Sequence, residues 1–146
     1  MNVHLKRLNK DNWEDCAQLT VEESQQKFVA SNIYSIAEVQ FLENFEAYAV
    51  YDSDQMVGFT MFGLDEDDYN YWIYRLMVDK RFQGKGYGKA ALQQTIHYLR
   101  QKPDCENIMV GYHPENIVVA NLYKRFGFKE KGIAPSGEMV ACLKMK

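Results

Sequence analysis

Apolar and polar residues alternate with two different periods along this chain, and the changes of period divide it into elements. Val3 to Leu8 alternates closely enough for a first strand. Asp11 followed three residues later by Glu14 has capping-box spacing, which predicts a helix running to about Gln26. Ser35 and Glu38 repeat that signature before Val39, Phe41, Leu42 and Phe45, so two helices are expected after the first strand. Glu46 to Tyr51 and Met56 to Leu64 are rich in Val, Tyr, Phe and Met, and Asp52-Ser53-Asp54-Gln55 between them predicts an antiparallel hairpin. Asp65 to Asp68 is an acidic bend, and Tyr69 to Val78 reads as an aromatic-rich strand broken in mid-course by Arg75.

The period then changes to that of a helix. Leu92, Ile96 and Leu99 share one face of a segment expected from about Tyr87 to Lys102, with Pro103 beyond its end. Asn107 to Tyr112 is expected to be a strand, and Asn116 to cap a second helix whose stripe is Val119, Leu122, Tyr123 and Phe126, ending at Gly127. Two closing strands are expected between Lys129 and Met145, around Pro135-Ser136-Gly137. No repeat, linker or low-complexity segment interrupts this order.

With 146 residues, 47% of them hydrophobic and 25% charged, the chain has the size and composition of one ordinary folded domain, spanning residues 1–146. No apolar run approaches the roughly 18 residues of a membrane span, and Met1 to Arg7 lacks the apolar stretch of a signal peptide, which points to the cytoplasm. Cys16, Cys105 and Cys142 are widely spaced and form no CxxC pair, and His4, His97 and His113 lack acidic or thiol neighbours at ligand spacing. Neither a disulfide framework nor a metal site is expected.

Charge is unevenly distributed. Residues 1–70 carry 14 acidic against 4 basic side chains, and residues 71–146 carry 13 basic against 6 acidic ones. Exposed acidic helices would account for this, and so would a basic half for an anionic ligand facing an acidic half for a cationic one. A pI of about 5.6 and the lack of a basic face in the first half disfavour nucleic acid.

Gln83-Gly84-Lys85-Gly86-Tyr87-Gly88-Lys89 stands where a strand gives way to a helix. Glycines there let successive backbone N–H groups converge on a diphosphate at a positive helix N-terminus, and Arg81, Lys85 and Lys89 add cationic charge. A turn with ordinary surface lysines would look the same in isolation. A P-loop is excluded because Ala90 follows Lys89 where Ser or Thr would hold magnesium, and a dinucleotide fingerprint is excluded because the third glycine is Gly88 rather than position 89.

Arg81-Phe82-Gln83-Gly84-Lys85-Gly86, preceded by the strand Leu76-Met77-Val78-Asp79, instead resembles the [QR]xxGx[GA] signature of the GNAT superfamily of acyl-CoA-dependent N-acyltransferases. Asn116, Ala120, Leu122-Tyr123, Arg125 and Gly127-Phe128 resemble its second hallmark, in the expected order. Val57 to Leu64, the acidic bend and the length are similar to bacterial diamine and spermine/spermidine acetyltransferases. The resemblance implies an α/β (α+β) fold with a mixed, mostly antiparallel central sheet, flanking helices and a splayed strand pair, here 71–78 and 107–112. It implies acetyl-CoA as cosubstrate, its diphosphate on the loop Gln83, Gly84, Lys85, Gly86, Tyr87, Gly88 and Lys89. Its pantetheine amides are then expected along Leu76, Met77 and Val78, with Asn116 beside the cofactor.

Tyr123 lies seven residues after Asn116, two helical turns on, so both can address one cleft. A phenol with a reference pKa near ~10 suits protonation of a departing thiolate, and the resemblance makes Tyr123 a general acid rather than a core tyrosine. The amine must lose a proton, yet no acid stands in Tyr71-Trp72-Ile73-Tyr74-Arg75, where some relatives carry a glutamate. A water chain ending at Glu22, Glu23 or another acid, or capture of the neutral amine, would serve. The acidic half suits a polyamine, with Glu22, Glu23, Asp65 and Asp67 as candidates for its distal ammonium groups. The other readings are an aminoglycoside or protein N-terminus as acceptor, and a noncatalytic acyl-CoA-binding module. The sequence leaves oligomeric state open, a homodimer included.

Overall fold

The computed structural model describes residues 1–145. Seven strands form one sheet: β1 (Val3–Arg7), β2 (Phe45–Asp52), β3 (Gln55–Leu64), β4 (Tyr71–Val78), β5 (Asn107–Tyr112), β6 (Lys129–Ile133) and β7 (Met139–Lys144). Their spatial order is β1-β2-β3-β4-β5-β7-β6, antiparallel at every junction except the parallel β4–β5 pair. The sheet is thus mixed and mostly antiparallel, as the resemblance implies.

Alternation along the strands divides the core between the two faces. Phe45, Ala47, Ala49 and Tyr51 of β2 join Phe59 and Met61 of β3 under α1 (Trp13–Gln18) and α2 (Asn32–Val39). On the opposite face, Phe62, Ile73, Ile108 and Val110 pack against Leu92, Ile96 and Leu99 of α3 (Tyr87–Arg100) and Ala120 and Tyr123 of α4 (Ile117–Arg125). Each fully buried Phe or Leu in this layer contributes roughly 1.5–3 kcal/mol of transfer free energy. The buried hydroxyls Thr60 and Thr95 satisfy each other at 3.2 Å, and Thr95 also donates to the Ala91 carbonyl.

The N-terminal helices differ from expectation. Instead of one helix to Gln26, α1 ends at Gln18, Leu19 turns extended, and a separate 3-10 helix occupies Glu23–Phe28. Long-range bonds cause the break: Thr20 donates its N–H to Asp79 and accepts one from Lys80, and a continuous helix could offer neither group. The Asp11/Glu14 box gives way to Asn12 as the residue before α1, its carboxamide bonded to Asn9 and Arg7. α2 starts four residues earlier than the Ser35 signature indicates. Ser31 caps it by accepting the Tyr34 N–H, and Ser35 is buried inside it, donating to the Ser31 carbonyl.

What shapes the site is how β4 leaves β5. The two pair only at Tyr71–Ile108, Trp72–Met109 and Ile73–Val110. On its other side β4 stays with β3 to Val78, but Phe62 faces Ile73 and Met61 faces Arg75, leaving Tyr74 as a bulge. A bulge bends its strand and increases its twist, while β5 remains paired with β7 as far as Tyr112–Met139. The strands therefore diverge beyond Ile73 and Val110, and the residue following the bulge is the Arg75 that breaks the strand's apolar run.

Gly58 holds β3 against the far half of β4. A Cβ at this position would lie 2.4 Å from the Met77 carbonyl oxygen. Gly58→Ala is expected to lower stability by about 1–3 kcal/mol, the usual range for overpacking. Urea denaturation measures it, and an unchanged midpoint would contradict this packing.

Candidate active site

The half of β4 beyond the divergence has one paired edge and one open edge. Asp79 donates its N–H to the Val57 carbonyl at 2.8 Å, so Met77, two residues earlier, also faces β3. By alternation Leu76 and Val78 turn their backbone groups to the open edge, where the Val78 carbonyl accepts Gln83 Nε2 at 2.9 Å. A cavity of about 380 Å³ follows this edge, lined by Leu76 to Val78, by the glycine loop and by the first turns of α4.

The loop makes a second row of donors. Gly84 and Gly86 have φ of 77° and 89°, a left-handed conformation that places the chain where α3 can start. The first α3 bond runs from the Ala90 N–H to the Gly86 carbonyl, which leaves the N–H groups of Tyr87, Gly88 and Lys89 without intrahelical partners. Three free donors at the positive end of a 14-residue helix favour an anion. Tyr87 spends its hydroxyl elsewhere, donating it to Asp52 and so pinning α3 to the β2–β3 turn.

Gln83, Gly84, Gly86, Tyr87, Gly88 and Asn116 line the cavity together with Leu76, Met77 and Val78. Lys85 and Lys89 are exposed beside it and take part in no ion pair among the described residues. Asn116 caps α4 by accepting the Val119 N–H at 3.4 Å. The sequence reading missed one wall, made by Val21, Gln25, Phe28 and Val29, because the break between α1 and the 3-10 helix creates it. The Gln25/Glu22 spacing was the local signal: Gln25 Oε1 accepts the Glu22 N–H.

Asn116 and Leu122 of this segment line the cavity, but Tyr123, expected to share the cleft with Asn116, lines neither it nor any cavity beside the divergence and sits in the core layer behind Leu122. It is 5% exposed, stacked on Tyr112 with ring centroids 5.7 Å apart and edge-on to Phe128 at 5.2 Å. Its hydroxyl makes no hydrogen bond among the described residues, and burial, reinforced by Tyr112, pushes its pKa well above that of an ordinary phenol. The group carries its proton at neutral pH.

On the near side of the divergence, a second cavity of about 290 Å³ is lined by Ile73, Tyr74 and Arg75 of β4 and by Gly111 of β5. Three carboxylates stand around it. Glu38 pairs with Arg75 at 3.0 Å, Asp65 accepts the Tyr74 hydroxyl at 2.8 Å, and Glu138 lies over Gly111. A Cβ at position 111 would be 3.3 Å from Glu138 Oε1, so the bare glycine makes room for this carboxylate. Asp65 and Tyr74 also line an adjoining cavity with Glu43, Glu66 and Asp67. Of the expected acceptor residues, Asp65 and Asp67 thus fall on this acidic side, whereas Glu22 and Glu23 line neither it nor the groove. Glu38 and Glu138 were missed: the first has the spacing of a helix signature, and only the β5–β7 pairing brings the second to Gly111.

Comparison with known proteins gives this geometry a context. Residues 6–128 match the acetyltransferase (GNAT) family. The spermine/spermidine N(1)-acetyltransferase of Bacillus subtilis is 31% identical over 138 residues, covering 90% of this chain and 91% of that protein. Among solved structures, the spermidine N-acetyltransferase of Vibrio cholerae in complex with CoA and spermine superposes with a TM-score of 0.78 at 14% identity, covering 99% and 96% of the two chains. An aminoglycoside acetyltransferase in complex with coenzyme A reaches 0.82, also at 14% identity, over 98% and 95%. At such identity these two structures share the fold. No helix among the described residues is long and apolar enough to cross a membrane.

Proposed function

The chain belongs to the GNAT family of acetyltransferases, and on that premise we propose that it acetylates a polyamine such as spermine or spermidine from acetyl-CoA, by direct attack in a ternary complex. The observation that carries this reading is the juxtaposition on one strand. Leu76 to Val78 face a groove with free backbone donors, and Ile73 to Arg75 face a cavity ringed by Glu38, Asp65 and Glu138. The 31% identity to a spermine/spermidine acetyltransferase over nine-tenths of both chains supports the same acceptor.

The residues suit acetyl-CoA. The open edge at Leu76 and Val78 offers main-chain partners to the pantetheine amides, as an added strand would find. The N–H groups of residues 87–89, with Lys85 and Lys89, receive the diphosphate. When bound, the cosubstrate supplies an activated acetyl thioester. An outward N–H of β4 at the divergence polarises the carbonyl as charge develops on its oxygen. The new C–N bond forms as the C–S bond breaks, and Tyr123 gives its proton to the departing sulfur. The ammonium group loses one proton to solvent or to a nearby carboxylate before it attacks, and the nitrogen loses a second as the amide forms, which through solvent restores the Tyr123 hydroxyl. Of the three, Glu138 is the one whose carboxylate accepts no hydrogen bond among the described residues. Asp65 and Glu138 attract the cation, the charge of Glu38 being offset by Arg75, and Asp67 and Glu66 in the adjoining cavity extend that field to a second ammonium.

Removing the Tyr123 hydroxyl separates chemistry from packing. Tyr123→Phe is expected to lower kcat by about 10²-fold or more, in the range of general acid assistance, with acetyl-CoA affinity unchanged. Because no hydrogen bond is lost, the stability change is expected to stay below about 0.5 kcal/mol. Steady-state kinetics beside a denaturant titration decides this, and wild-type turnover in the variant would remove the general-acid role.

The acceptor is tested by comparing spermidine with a monoamine of similar length at saturating acetyl-CoA. Spermidine is expected to have the higher kcat/KM by about tenfold at low salt, the gap narrowing as the Debye length falls from ~10 Å at 0.1 M to ~3 Å at 1 M. Asp65→Asn with Glu138→Gln is expected to raise KM for spermidine by about 3–10-fold and to leave the monoamine within about twofold. Equal kcat/KM for both amines, or preference for an aminoglycoside, would refute the polyamine acceptor and leave the family's chemistry intact.

A further inference from the structure

Residues 20–29 run across one side of the groove as a strap anchored in the core at its ends, by buried Val21 and partly buried Val29, with none of Glu23–Phe28 between them buried. Yet Val21, Gln25, Phe28 and Val29 form a wall of the cavity that the cosubstrate is read to occupy. Polar contacts add to these two anchors. Thr20 gives its N–H to Asp79 Oδ1 at 2.9 Å and accepts the Lys80 N–H at 2.8 Å. Further along, Gln83 Nε2 donates to Gln25 Oε1 at 3.0 Å, and the Phe28 ring meets that of His113 beyond β5 at 5.0 Å.

Asp79 is the buried member of this set, 2% exposed, at the point where β4 turns into the glycine loop. Its second oxygen accepts the Arg81 N–H at 3.1 Å and Arg81 Nε at 2.7 Å. Burial alone would raise its pKa, but the bonds from Arg81 and Thr20 prevail and hold the carboxyl below its ordinary range. A negative charge beside a diphosphate loop works against anion binding, so charge does not explain Asp79. Its geometry does.

We propose that Asp79 is a positioning residue whose carboxylate fastens the 20–29 strap to the start of the glycine loop, closing the strap over the pantetheine arm of the acyl-CoA. The inference rests on the acyl-CoA reading of the groove and adds to it a residue that acts through the strap.

Asp79→Ala, which removes both acceptor oxygens where Asp79→Asn would keep one for the Thr20 N–H, separates position from charge. Removal of a negative charge alone would tighten binding of an anionic ligand. Loss of the strap is instead expected to weaken acetyl-CoA by about tenfold, the scale of a hydrogen bond to a charged group. ADP, which has the diphosphate and no pantetheine arm, is expected to keep its inhibition constant within about twofold or to bind more tightly. Calorimetry with acetyl-CoA and inhibition by ADP, on protein with a cooperative melt, give the two numbers. Equal or tighter acetyl-CoA binding in the variant would overturn the proposal, as would an equal loss for both ligands, which would mean general damage to the loop. Failure of the wild type to bind acetyl-CoA would overturn the underlying reading as well. Should the variant not fold, amide hydrogen exchange on the wild type decides instead. Residues 20–29 are expected to slow with acetyl-CoA and not with ADP, and unchanged exchange with acetyl-CoA would contradict the proposal.

Discussion

β4 cannot follow both of its neighbours. It keeps register with β3 to Val78 by bulging at Tyr74, and in doing so leaves β5 after Ile73. Backbone N–H and C=O groups within a sheet ordinarily pair, and an edge exposed in the middle of a sheet is costly unless water or a ligand satisfies it. The open edge at Leu76 and Val78 therefore reads as a functional feature, and most of the remaining architecture supports it. The β3–β4 contact at Gly58 holds the strand from one side, and β7 holds β5 away from it on the other.

Two kinds of surface meet along this strand because successive residues line cavities on opposite sides of the divergence. Beyond it the chain passes into a loop whose glycines expose N–H groups at the head of α3, and there the exposed cations Lys85 and Lys89 gather. Before it stand Glu38 and Asp65 from the acidic first half of the sequence, joined by Glu138 from the second. The uneven charge of the chain thus has a spatial counterpart, although Glu138 shows that the division by halves is incomplete. Arg75 lies at the boundary, and its pairing with Glu38 couples α2 to the strand at the bulge.

The parts legible in the sequence are those governed by local rules. β5 and α3 begin where periodicity and the glycine loop indicate, Asn116 caps α4, and the loop and α4 motifs identify the family. The parts that were not legible depend on contacts far apart in the chain. Thr20 and Asp79 are 59 residues apart, and their bond breaks the expected helix to form a wall of the groove. Ser31 and Ser35 both precede helix-compatible stretches, and burial of Ser35 settles which one caps. Nothing near Glu138 in sequence marks it, because its place over Gly111 follows from the β5–β7 register.

On the proposed function, the divergent strand and the glycine loop together form the acetyl-CoA site. Gly86 tests it most directly, since its φ of 89° is one that a β-branched residue resists, and a Cβ there would meet only Met1 Cε, at 3.9 Å. Calorimetric titration of acetyl-CoA into wild-type and Gly86→Val protein, each with a cooperative melt, is the measurement. One site per wild-type chain is expected, with affinity reduced by about 10²-fold or more in the variant, as three convergent N–H groups lose their aim. Undiminished affinity in a folded variant would contradict it.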